Sequence, residues 1–131
     1  MILRLFLIRG PSGAGKSTLA QFLAPNSNFA ADMFFEDKNG GYKFDPTQLP
    51  QAHQLCQRLT ELAMTNKVLV IAVHNTFVKR WEMEAYYNLA REHGYIVHEI
   101  LITGERYKNL HDVPNETIDR QVNNLQLWKG N

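Results

Sequence analysis

The string Gly10-Pro11-Ser12-Gly13-Ala14-Gly15-Lys16-Ser17 constrains this chain more than any other feature. It stands between an apolar run, Ile2 to Ile8, and a segment of helical periodicity, Lys16 to Ala24. A loop of this composition between a strand and a helix has a specific physical use. Its glycines permit backbone conformations and close approaches that a Cβ would block. Successive N–H groups can then ring an anion, and the helix N-terminus adds positive potential. Gly10, Pro11, Ser12, Gly13, Ala14, Gly15, Lys16, Ser17 and Thr18 are therefore expected to hold the phosphates of a nucleoside triphosphate. Lys16 would neutralise the β- and γ-phosphates, and Ser17 would offer its hydroxyl to Mg²⁺. ATP is the expected nucleotide, and no base-reading motif sets GTP aside.

The rest of the chain alternates strands with helices. Ile2 to Ile8 reads as a buried parallel strand. Leu19, Phe22 and Leu23 are expected on the inner face of the first helix, which Pro25 closes. A short second strand, Asn28 to Ala31, ends at Asp32. Polar residues from Glu36 to Thr47 make a surface excursion. Gln48 to Asn66 keeps helical spacing through Ala52, Leu55, Cys56, Leu59, Leu62 and Ala63. Lys67 to Val73 is a β-branched strand, Thr76 to His93 a helix with Trp81, Ala85 and Leu89 on one face, and Gly94 its stop. Tyr95 to Ile102 is a further strand, and Val113-Pro114 opens a last helix bearing Ile118, Val122 and Leu125. This order implies an α/β fold: a three-layer α/β/α nucleotide-kinase-like P-loop domain with a short, mostly parallel sheet. Ligands in such sheets bind outside the carboxyl ends of the strands. That filter selects Gly10–Ser17, Asp32, His74–Phe77 and the residues from Thr103 onward.

At 131 residues one domain is expected over the whole chain. Its 44% hydrophobic and 21% charged shares are ordinary for a globular protein. A net charge of +1 argues neither for nor against nucleic acid. The apolar start is too short to span a bilayer and lacks a signal-peptide cleavage pattern. The single cysteine, Cys56, allows no intrachain disulfide, so a cytoplasmic, reducing compartment is expected, with no membrane role and no evident protein partner.

Phosphoryl transfer also needs a group to orient and deprotonate an acceptor. Asp32 is the leading candidate, with a helix cap or loop carboxylate as its structural alternative. Phe34 and Phe35 could stack on a base or belong to the core. His53 lies beside the apolar face of its helix and suits either a substrate pocket or a hydrogen-bonded interior. His74 could donate to phosphate or substrate, or cap the segment that follows. Glu82 and Glu84 point to different helix faces and cannot form a catalytic dyad.

Gly10–Thr18, Ala31-Asp32-Met33-Phe34-Phe35, Tyr42-Lys43-Phe44, Leu49 with Ala52-His53, and Asn75-Thr76-Phe77 with Trp81-Glu82-Met83 occur in the order of a known family. Together with Lys108 to Pro114 and Ile118, they resemble the polynucleotide 5′-kinase-like P-loop kinases, including small phage and bacterial AAA-type ATP-binding members. The resemblance runs from about Leu3 to about Leu125. It implies an ATP- and Mg²⁺-dependent kinase whose acceptor is the 5′-hydroxyl of a nucleic acid; a kinase of a small sugar or nucleoside, or a non-catalytic nucleotide-binding module, are the alternatives. It implies that Asp32 takes the acceptor's proton, that Lys108 belongs to a short lid around 103–114 and clamps the phosphates, and that Arg106 or Arg120 joins it over the same charge. It suggests a place near the substrate for His53, and His74, Asn75, Phe34 and Phe35 are the further candidates for that side. The sequence departs from the family at three points. His74 stands where an aspartate is common, Lys108 where the lid commonly has an arginine, and Asp112 where glycine is common.

Overall fold

The computed structural model describes residues 1–37 and 39–103. The elements are β1 (Leu3–Arg9), α1 (Lys16–Leu23), β2 (Asn28–Phe29), two short 3₁₀ helices (Ala31–Phe35 and Pro46–Gln48), α2 (Leu49–Thr65), β3 (Val70–Asn75), α3 (Trp81–His93) and β4 (Tyr95–Leu101). The four strands form one parallel sheet in the order β2-β3-β1-β4. β1 is central, with Leu5 opposite Ile71 on one side and Val97 on the other.

Side chains of a strand alternate between faces, and here the alternation divides the core in two. Leu5, Leu7, Ile71 and Val73 pack with Cys56, Met64, Met83 and Tyr86 of α2 and α3. Ile8 and Ala72 face the other way and take Ala20 and Ala24 from α1 and its end. Helices thus cover both faces of the sheet. The same alternation reaches the last two residues of β3: His74 faces the α1 side, and Asn75 faces α2 and α3. This α/β architecture is the one expected from the order of the elements. The expected final helix after Val113-Pro114 and the lid around 103–114 lie outside the described residues, apart from Thr103.

Several inner faces differ from the sequence reading. Phe22 is 83% exposed, and α1 is seated by Ala20 with Leu19 and Leu23. On α2, Leu55 and Leu62 are outside, while Ala52, Cys56, Thr60, Ala63 and Met64 are buried. Thr60 is tolerated there because its hydroxyl donates to the Cys56 carbonyl at 2.8 Å. Trp81 is exposed, and Met83, Tyr86 and Ala90 carry the inner face of α3. β3 begins at Val70 rather than Lys67, since Lys67 turns through a left-handed conformation (φ 58°) after α2. α3 begins five residues later than expected because Phe77, also left-handed (φ 48°), drives its ring into the core. Gly94 ends α3 in the left-handed conformation, as expected.

Candidate functional site

The loop between β1 and α1 lies at the carboxyl end of the central strand. Gly15 caps α1 with φ 97° and ψ 13°, a conformation costly for any residue with a Cβ. At Gly10 the constraint is proximity: a Cβ there would lie 2.9 Å from the carbonyl oxygen of Ile102, the residue after β4. Lys16 Nζ donates to the Pro11 carbonyl at 2.9 Å, so the ammonium bends back over its own loop. Burial lowers the Lys16 pKa to about 8, with the Asp32 charge opposing the shift. A desolvated cation among loop amides and a helix N-terminus is a site that gains by taking up an anion. Ser17 and Thr18 are exposed on the first turn of α1, where Gln21 donates to Ser17 Oγ at 3.3 Å. The donor set therefore fits triphosphate oxygens, and the Ser17 hydroxyl fits a hard cation shared with them.

Lys16, Ser17, Asp32 and His74 line one cleft of about 830 Å³. Asp32 sits in the first turn of the 3₁₀ helix Ala31–Phe35, not at the end of β2 as expected, because β2 stops at Phe29. Its carboxylate is exposed, and Oδ1 accepts a hydrogen bond from the Tyr42 hydroxyl at 3.1 Å. Tyr42 is brought there by a bridge between Glu36 and Tyr42 and by the Lys43 N–H bond to the Phe35 carbonyl at 3.0 Å. Burial, then the charge and hydrogen bond of Asp32, push the Tyr42 phenol well above its ordinary pKa, so it stays a donor. The sequence reading counted Tyr42 within the family-like segment Tyr42-Lys43-Phe44 but gave it no part beside Asp32. Its place ten residues beyond Asp32 is set by a turn, and no residue period points to it.

His74 is buried at the floor of the cleft, with Nε2 3.3 Å from Asn28 Oδ1. Asn28 Nδ2 donates to the Ala24 carbonyl at 2.9 Å, which orients the amide and leaves its oxygen to accept from His74 Nε2–H. Burial lowers the His74 pKa to about 4; the Lys16 charge adds to the shift and Asp32 opposes it. His74 is thus a neutral imidazole in the cleft.

Asn75, one residue on, is turned to the opposite face. Its Oδ1 accepts from the Ala31 N–H at 2.8 Å, and its Nδ2 lies 3.9 Å from Cys56 Sγ. The Tyr86 hydroxyl adjoins Cys56 and Asn75. Asn75 therefore ties the start of the Asp32-bearing turn to the end of β3, with its amide engaged inside the core. Phe35 is also interior: it packs with Ala31 and Ala52, meeting Phe34 edge-on at 5.3 Å and Phe44 at 5.2 Å. His53 lies beyond the cleft, near the start of α3. There its charge and the backbone of Lys79 and Val78 oppose the burial that raises the Glu82 pKa. Of the expected substrate residues, only His74 joins the cleft. Lys108, Arg106 and Arg120 lie outside the described residues.

With this geometry in place, comparison with known proteins is informative. Residues 5–127 match the AAA domain family. The chain belongs to that family. Human NEDD4-binding protein 2 is 32% identical over 135 aligned residues, covering 95% of this AAA-domain chain but only 8% of the human protein's length. Among solved structures, the Pnkp1/Rnl/Hen1 complex superposes with a TM-score of 0.58 at 16% identity, over 91% of this chain and 38% of that one. The Mycobacterium tuberculosis APS kinase CysC (Cys556Ala mutant) superposes with a TM-score of 0.52 at 17% identity, over 95% of both chains. At these identities the likeness shows a fold, and the fold is that of the P-loop kinases. Among the described residues no helix is long and apolar enough to cross a membrane.

Proposed function

We propose that this AAA-domain protein transfers the γ-phosphoryl group of ATP, with Mg²⁺, to the 5′-hydroxyl of a polynucleotide. The observation that carries the reading is the shared cleft: Lys16 and Ser17 on one wall, Asp32 on the other. In this reading the loop amides from Gly10 to Thr18 and the Lys16 ammonium bind the triphosphate and balance its charge. Mg²⁺, held through the Ser17 hydroxyl, would draw charge from the phosphate oxygens. Tyr42 fixes one oxygen of Asp32, and the other takes the proton of the attacking hydroxyl as its oxygen bonds to the γ-phosphorus and the bond to ADP breaks. His74, neutral, offers an uncharged polar floor that does not compete with Lys16 for the anion. Lys108, with Arg106, is proposed to close over the phosphates from a lid around 103–114, and Arg120, which follows the lid, to reach the same charge within one kinase domain. The buried, lone Cys56 accords with a cytoplasmic setting.

The test is transfer of labelled γ-phosphate from ATP·Mg²⁺ to matched oligonucleotides bearing either a 5′-hydroxyl or a 5′-phosphate. Label is expected on the 5′-hydroxyl strand alone, and none with Lys16→Ala. ATP binding with no label on either strand would turn the search to small acceptors such as sugars and nucleosides, or to a non-catalytic role.

A further inference from the structure

Among the described residues, two large apolar side chains in the cleft belong to none of the core clusters. Phe22 on α1 is 83% exposed, and Met33, next to Asp32 in the 3₁₀ helix, is 41% exposed; both line the cleft that contains Lys16 and Asp32. Their elements are anchored by other residues, α1 by Ala20 with Leu19 and Leu23, and the 3₁₀ helix by Ala31 and Phe35. A phenyl ring is among the side chains with most to gain from leaving water. One left in water at a ligand cleft, with a thioether flanking the candidate base, has an occupant to find.

The chemistry around the pair narrows that occupant. Asp32 marks where the reacting hydroxyl must lie, and Met33 is its immediate neighbour in the chain. Phe22 lies five residues beyond Ser17 on α1, past the turn that faces the phosphates. The ligand part that meets this pair is therefore joined to the reacting hydroxyl and presents a flat apolar face. A simple sugar carries the reacting hydroxyl but is ringed by further hydroxyls, so it meets the first requirement and offers no broad flat apolar face for the second. A nucleobase on a 5′-hydroxyl-bearing ribose satisfies both, because every base has a π-face that stacks on an aromatic ring. A methionine beside it adapts to purine or pyrimidine outlines.

We propose that Phe22 and Met33 form the seat for the 5′-terminal base of the acceptor strand. This rests on the polynucleotide reading above and gives it a binding contact. The seat replaces Phe34 and Phe35, whose rings the fold uses for its own packing. It is tolerant of sequence, since stacking reads no hydrogen-bonding edge.

The experiment is steady-state transfer by the full chain to two single strands that differ at one point. Both carry a 5′-hydroxyl, but in one the terminal nucleotide is abasic. For the base-bearing strand, Phe22→Ala is expected to raise KM on the order of tenfold or more, the weight of one lost base–aromatic stack, with KM for ATP unchanged. Met33→Ala should give a smaller rise and Phe22→Tyr almost none. Wild-type protein should use the abasic strand about as poorly as Phe22→Ala uses the normal one, with no further loss when both changes are combined. Equal losses on the two strands overturn the seat while leaving the polynucleotide reading intact. A rise in KM for ATP instead of the acceptor also overturns it, assigning the ring to the donor base. So does a fall in melting temperature with both KM values unchanged, which would mean that the chain itself covers Phe22. No transfer by wild type to either strand removes the polynucleotide reading and the seat together.

Discussion

The two walls of the cleft are made of different materials. The wall proposed for the phosphates, Gly10 to Thr18, is mostly backbone: loop amides, two constrained glycines and a lysine folded back onto the Pro11 carbonyl of the same loop. The Asp32 wall is made of side chains that arrive from distant parts of the chain. Ala31 is tied by Asn75 from β3, Asp32 is held by Tyr42 from a later turn, and the whole turn rests on Ala52 of α2. A backbone wall takes its donors from one short stretch of chain; a side-chain wall gathers its groups from several elements of the finished tertiary structure. The first should therefore fail through loss of ligand, and the second through loss of alignment.

The largest expected effect tests that division directly. Asp32→Asn should lower turnover by roughly 10²–10⁴-fold, the usual weight of a positioned base, while the affinity for ATP stays close to wild type. Turnover and nucleotide titration on one preparation check it; a parallel loss of ATP binding would mean that the two walls are not separable. Next is the tie itself. Asn75→Ala leaves the Ala31 N–H without its acceptor inside the protein, which should cost about 1–3 kcal/mol in a denaturant melt. Amide exchange at Ala31 should speed up, and turnover should fall more than ATP affinity does.

The smallest expected effect concerns pH. The His74 imidazole faces Lys16, Asp32 and Asn28, and its pKa is lowered from 6.5 to about 4. Between those values the unfolded chain binds a proton that the folded chain refuses, so stability rises with pH across the window and is lost as pH falls from about 6.5 toward 4. Thermal melts at pH 7 and pH 5 should show a smaller drop for His74→Gln than for wild type.

The contrast between the walls also explains what could be read in the sequence. The phosphate loop, the parallel sheet and the Gly94 stop depend on local pattern, and all three were legible. Asp32 was legible as a residue at the ligand end of the sheet, although β2 ends sooner and a 3₁₀ turn carries it. The opposite directions of His74 and Asn75 follow from strand alternation, but only once β3 is known to run through both residues. Placing the strand at 67–73 hid that. Tyr42 was not legible in its role, since it reaches Asp32 across a turn. Phe22 misled because helical spacing groups it with Leu19 and Leu23; where the short α1 meets the sheet, Ala20 decides which side faces inward. Leu55 and Leu62 went the same way on α2, where small residues let the helix sit close to the sheet and larger neighbours face out.

Cys56 lies behind the Asp32 wall, buried against Asn75, with its thiol pKa pushed up by burial. It is the chain's single cysteine. An alkylating reagent needs an exposed thiolate, and neither exposure nor ionisation is available while α2 lies on β3. The protein thus carries a chemical clock in one of its two walls. Its rate of modification counts how often the Asp32 side comes apart, and the loop from Gly10 to Thr18 has no corresponding thiol.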